Sequence, residues 1–231
     1  MKKTKLIVAG LMMSTMLIGG VSQAFAADST GEITFTENQG GGDPSDPEDP
    51  SNPKPDPKPD PTPEVGPLII KVVPKFDFGT HEVEQAGKTY DDTETKNTYI
   101  EVRDNRSAGI NGWEVTASRT EFSDGSKELT GSALSLPKGI VRNSIASTEQ
   151  GNSTTADEVP EASIKASAQD IPLTGSSAKV LETVKKHDLV GKANTTSNII
   201  ETDRTSLTVA PGTAAAGTFT STITWTITAA P

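Results

Sequence analysis

From Phe219 to Thr228 the side chains alternate without a break. Phe219, Ser221, Ile223, Trp225 and Ile227 fall on one face, and Thr220, Thr222, Thr224, Thr226 and Thr228 on the other. A period of two in Thr and Ile is the pattern of a half-buried β-strand, and it excludes a helical stripe. Shorter runs of the same texture precede it. They are Leu68–Val73, Tyr99–Val102, Trp113–Thr116, Leu134–Leu136 and Leu207–Val209. Turn-forming clusters separate them, at Asp104-Asn105-Arg106, Ser123-Asp124-Gly125, Pro137-Lys138-Gly139 and Pro211-Gly212. Residues 68–231 are therefore expected to form an all-β domain, an antiparallel sandwich or barrel. Two stretches are less defined. Ala178–His187 reads equally as an amphipathic helix capped by Ser176 or Ser177, or as a strand. Residues 141–170 are polar and read as a long surface excursion.

The segments before residue 68 are of a different kind. Lys2, Lys3 and Lys5 precede an apolar run and then Ala24-Phe25-Ala26, the order of a secretory signal peptide over residues 1–26. The run is too short to span a bilayer, so no membrane span is expected after cleavage. Loss of three lysines and no acid takes the formal charge from −10 to −13. Nucleic acid and anionic membranes are held chiefly by Lys and Arg, so neither is expected as a partner. In residues 27–42 the only patterned piece is Ile33-Thr34-Phe35, a short strand candidate. Ten of the sixteen prolines then lie between Pro44 and Pro67. Alternating proline removes backbone donors and fixes φ, so residues 43–67 are expected to be a disordered, extended spacer without helix or sheet. There is no cysteine. An exported chain of this kind must be stabilised by its core, and a domain of this length can bury about 70% of its unfolded surface.

The residues offer little chemistry. His81 and His187 stand alone in charged stretches, and no cluster has metal-ligand spacing. Asp91-Asp92-Thr93-Glu94 lacks the glycine and oxygen spacing of a calcium loop and reads as a solvated turn. Neither a phosphate loop nor a nucleophile elbow is present. No enzyme, metal or cofactor is expected. Ile171-Pro172-Leu173-Thr174-Gly175 resembles a sortase signal, but it is internal and reads as an ordinary strand-to-turn segment.

Both tryptophans, Trp113 and Trp225, sit in a Trp-x-aliphatic-Thr context, with Val115 and Ile227 two residues on. On a strand each ring shares a face with its aliphatic partner. One reading is a core Trp packed on a branched residue. The other is an aromatic strip suited to sugar rings or a partner surface. Mixed roles are expected for the four residues, with Trp113 the more accessible ring. Gly109 and Gly112 suggest a free-turning junction there, so Trp113→Ala should harm binding more and stability less than Trp225→Ala.

Taken together, these features resemble the WxL-domain surface proteins of low-GC Gram-positive bacteria. The likeness covers the signal, Ile33-Thr34-Phe35, the Pro/Asp/Lys stretch, Phe76-Asp77-Phe78-Gly79, Val102–Arg106 leading to Gly112-Trp113, and the run Phe219–Ile227 with Pro231. Val115 and Ile227 stand where the family usually has Leu. The resemblance implies a β-rich module attached non-covalently to the cell wall, with peptidoglycan as ligand. It also implies partners among WxL-interacting and sortase-anchored surface proteins. An adhesin for a host matrix protein or glycan is the alternative from a different class, and a polysaccharide-active enzyme a third.

Overall fold

The computed structural model describes residues 30–36, 38, 41–107, 109–110, 112–145, 158–184, 190–199 and 201–230. The expected signal peptide, His187 and the middle of the 141–170 excursion lie outside these residues. The chain divides into two units, Met1–Phe35 and Thr36–Pro231. In the first, the described residues carry no strand, and Ile33 and Phe35 are exposed.

The second unit is all-β. Its strands are β1 (Leu68–Val72), β2 (Lys88–Asp91), β3 (Tyr99–Asp104), β4 (Trp113–Arg119), β5 (Ala133–Leu136) and β6 (Ile140–Asn143). They continue with β7 (Ile164–Ala166), β8 (Gln169–Asp170), β9 (Ala178–Thr183), β10 (Ala193–Asn198), β11 (Ser206–Val209) and β12 (Ile223–Ala229). Three four-stranded antiparallel sheets result, ordered β1-β3-β10-β6, β2-β11-β5-β8 and β12-β4-β9-β7. β1 approaches β12 and β6 approaches β7, which closes the first and third sheets into a sandwich-like arrangement. The 178–187 segment forms a strand over Ala178–Thr183. The 141–170 stretch contributes β6, β7 and β8, so it is not wholly an excursion.

Alternation explains which side chains form the core. Trp113, Val115, Ala117 and Arg119 of β4 are buried, while Glu114, Thr116 and Ser118 between them are half-buried. Arg119 is a buried charge among apolar neighbours, and burial pulls its guanidinium down. It donates to the carbonyls of Ile171, Thr120 and Ser132 and lies 5.5 Å from the Phe122 ring centroid. The Ile171–Gly175 segment is held there: Arg119 N–H donates to Pro172 O at 2.8 Å, and Thr174 N–H to Arg119 O at 2.8 Å.

The proline-rich stretch carries no helix or strand, as expected, but part of it is held against the domain and is not a free spacer. Residues 41–54 lie as a strap across the outer face of β3 and β10. Proline takes away amide donors but leaves every carbonyl, and carbonyls are what the strap uses. Tyr99 Oη donates to Ser45 O at 2.9 Å, Thr196 Oγ1 to Pro47 O at 3.0 Å and Asn194 Nδ2 to Pro50 O at 3.3 Å. Lys71 Nζ donates to Asp43 O, and Arg103 to Gly41 O. In return the carboxylate of Glu101 accepts from Ser45 N–H at 2.8 Å and Ser45 Oγ at 2.9 Å. The strap accounts for a strand with no apolar pattern. β10 reads Ala-Asn-Thr-Thr-Ser-Asn, yet Thr195–Asn198 are buried, because polar partners satisfy them on both faces. After the strap, Thr62 N–H donates to Lys71 O at 2.8 Å and Ile70 N–H to Glu64 Oε2 at 3.0 Å, covering the outer edge of β1.

Beneath the strap, Lys71 and Arg103 flank the buried carboxylate of Glu101. Burial pushes Lys71 down to about 8 although Glu101 opposes the shift. An unfolded lysine keeps its proton to ~10.4. Between these values the unfolded chain binds more protons than the folded one, so stability should rise with pH from about 8 to 10. Urea unfolding across that range checks this, and Lys71→Met should flatten the rise.

Candidate functional site

β4 and β12 are neighbours and antiparallel, which brings the two Trp-x-aliphatic motifs side by side. Ile227 pairs with Val115, Trp225 with Ala117 and Ala229 with Trp113. All four side chains singled out in the sequence therefore point to one face of one sheet. Their environments are not alike. β4 is flanked by β12 and β9, and Trp113 and Val115 are 0% exposed. β12 is the outermost strand, and Ile223, Trp225 and Ile227 are only half-buried.

The expectation of an accessible Trp113 ring is corrected by this geometry. Gly109 and Gly112 do turn the chain, with φ of +81° and +89°. The ring then goes inward, because Gly191 leaves room for it. A Cβ on Gly191 would stand 2.7 Å from Trp113 Nε1, which instead donates to Gly191 O at 3.2 Å. The Trp113 N–H donates to Thr183 Oγ1 at 2.9 Å. The preceding Val102–Arg106 segment fixes this junction. Arg106 clasps the buried Asp104 carboxylate through Nε at 2.9 Å and Nη2 at 2.8 Å, and Nη2 also donates to Gly112 O at 2.9 Å.

Trp225 faces a cleft of about 740 Å³. Six of the chain's ten aromatic residues line it: Phe76, Phe78, Tyr90, Phe122, Phe219 and Trp225. One wall is the segment 73–83, and Asp77 explains its shape. Asp92 Oδ1 accepts from Asp77 N–H at 2.8 Å, and Thr93 N–H donates to Asp77 O at 2.7 Å. With Asp77 pinned between them, Phe76 and Phe78 both line the cleft, their ring centroids 6.4 Å apart. Phe78 meets Phe122 edge-on at 6.3 Å. Gly79, at φ +76°, then turns the chain so that His81 stacks on Tyr90 at 4.3 Å, and its Nε2 lies 2.6 Å from Phe78 O. Asp92 and Thr93, in the stretch expected to be a solvated turn, are thus the anchor of this wall. The Asp92 carboxyl is raised by burial, while the backbone amides of Glu94 and Asp77 oppose the shift. The sequence alone gives Phe76-Asp77-Phe78-Gly79 no role beyond the family resemblance. The available signal was two aromatics spaced two apart before a turn glycine.

An open aromatic cleft with few charges is suited to stacking and apolar contact, and its volume is in the range of small-molecule sites. Among the described residues, no group of three His, Asp or Glu side chains is placed to hold a metal.

The family model for the WxL domain, described as surface cell wall-binding, matches residues 22–231. The chain belongs to the WxL domain family. This family binds cell walls and is not an enzyme family, and membership places the protein at the cell surface. No curated protein and no solved structure matches the chain. Among the described residues of this WxL domain, no helix is long and apolar enough to cross a membrane. Sheet position separates the two tryptophans. Trp113 is interior, and Trp225 stands at the cleft.

Proposed function

We propose that the chain is exported through its N-terminal signal and held on the Gram-positive wall non-covalently, with peptidoglycan as the ligand. The cleft beside Trp225 is the binding surface, and the observation that supports it is the gathering of six aromatics around one opening on a wall-binding domain. Sugar rings present apolar faces that stack on such side chains. In this reading Trp225 makes the contact and Ile227 supports it, while Trp113 and Val115 hold the sheet from within. WxL-interacting and sortase-anchored surface proteins are the partners with which the anchored domain assembles.

The test is pelleting of the purified chain with isolated peptidoglycan. Trp225→Ala should abolish pelleting while lowering the melting temperature less than Trp113→Ala does. Phe78→Ala should weaken pelleting in the same way, because it lines the same cleft. Bound protein should come off with denaturant or high salt and without wall digestion. Undiminished pelleting of a folded Trp225→Ala, or binding to host matrix proteins in place of wall, would refute the reading.

A further inference from the structure

Antiparallel pairing alternates hydrogen-bonded and non-bonded residue pairs. Thr120 N–H donates to Thr222 O at 2.9 Å, and Ala230 N–H to Gly112 O at 3.0 Å. Even-numbered residues of β12 therefore spend their backbone groups on β4. The N–H and C=O of Ile223, Trp225 and Ile227 face outward, and β12 is the edge of its sheet. Among the described residues, none pairs with that edge. Proteins commonly blunt such edges with charge, proline, a bulge or a covering loop. β1 is covered by Thr62 and Glu64, and β6 is bridged by Glu158. Among the described residues β12 has none of these devices, and no charged residue occurs from Thr205 to Pro231.

The sequence of this edge is the same read in either direction. Thr222-Ile223-Thr224-Trp225-Thr226-Ile227-Thr228 is a palindrome about Trp225. Across a two-fold axis residue i of one copy meets residue j of the other and j meets i, and the palindrome makes every such pair one of like residues. The geometry points to a second copy of this chain as the occupant: two molecules pair β12 to β12 antiparallel, centred on Trp225. Trp225 then lies opposite Trp225, Ile223 opposite Ile227 and Thr224 opposite Thr226. The outward-facing residues are all odd-numbered, and this centring places odd opposite odd, so the free N–H and C=O groups meet in register. The half-buried Ile and Trp side chains gain cover on one face, and threonines pair on the other. Charge supports the same occupant. On a molecule of net charge −10, this uncharged stretch lets two copies approach without like charges meeting. Two four-stranded sheets become one continuous sheet, and the two Trp225 clefts open on the same side of it.

Sedimentation velocity of the chain from Ala27 onward tests this at concentrations on the order of 100 µM, since small interfaces are weak. The expected mass is twice that of the monomer. T224K/T226K sets lysine against lysine across the axis and should return the monomer mass. T224K/T226E sets lysine against glutamate and should restore the dimer. A monomeric wild type overturns the proposal, as do two variants that behave alike. If T224K/T226K does not fold, cysteine trapping decides. Thr224 and Thr226 form a non-bonded pair, with Cα atoms ~4.5 Å apart, within disulfide reach. The chain has no native cysteine, so an oxidised mixture of T224C with T226C should yield a cross-linked dimer that neither yields alone. Equal cross-linking in all three samples would overturn the register.

Discussion

Trp113→Ala is expected to cost about 3–5 kcal/mol, the range for truncating a buried Trp. Three features put it at the upper end. The ring is 0% exposed, so no solvent relieves the cavity. Its Nε1 satisfies Gly191 O, which the substitution orphans. Its strand sits between β12 and β9, so any backbone shift disturbs two ladders. Domains are typically stable by ~5–15 kcal/mol, so a loss of this size removes a large share of the total. Chemical denaturation of wild type and variant measures it directly. Gly191→Ala should act in the same direction, since its methyl group would collide with the ring and its φ of +75° disfavours a side chain. A shift of under 1 kcal/mol for Trp113→Ala would show that the ring does not carry the core.

Glu101→Ala is the second large effect, expected at about 3–5 kcal/mol because it removes one partner of a buried charge cluster. The carboxylate is 0% exposed and faces both Lys71 and Arg103 beneath the strap. Burial raises its own pKa, and the two donors of Ser45, Lys71 and Arg103 oppose that shift. Its loss strands Lys71 and frees the strap at Ser45. Two readouts separate these consequences. Denaturation reports the global cost, and limited proteolysis within residues 41–54 reports release of the strap. Ser45→Ala should increase cleavage with a smaller global cost, because it keeps the carboxylate and its cations. If Glu101→Ala left the strap as resistant as wild type, the carbonyl contacts alone would hold it.

The strand texture was legible because period two survives in any environment with one wet face. Phe219–Thr228 displays it over ten residues, and β4 displays it over seven. β10 was not legible. Its outer face is covered by the strap, and polar residues satisfied by hydrogen bonds are as well suited to that position as apolar ones. The strap itself was misread for a related reason. Proline content reports which backbone donors are missing and says nothing of where the carbonyls find partners. In the cleft, Trp225 takes a role from its motif, but Phe76 and Phe78 take none from theirs, because their role depends on Asp77 being pinned by a turn fifteen residues away.

The sequence by itself determined the β class, the kinship with wall-binding surface proteins and the two tryptophan motifs, because alternation and short-range spacing are local properties. Only the tertiary structure decided which tryptophan is core and which is accessible. Local spacing around the two rings is nearly the same. Sheet order makes the difference: β4 is flanked on both sides and β12 on one, and a ring on an edge strand keeps contact with solvent that a central strand denies.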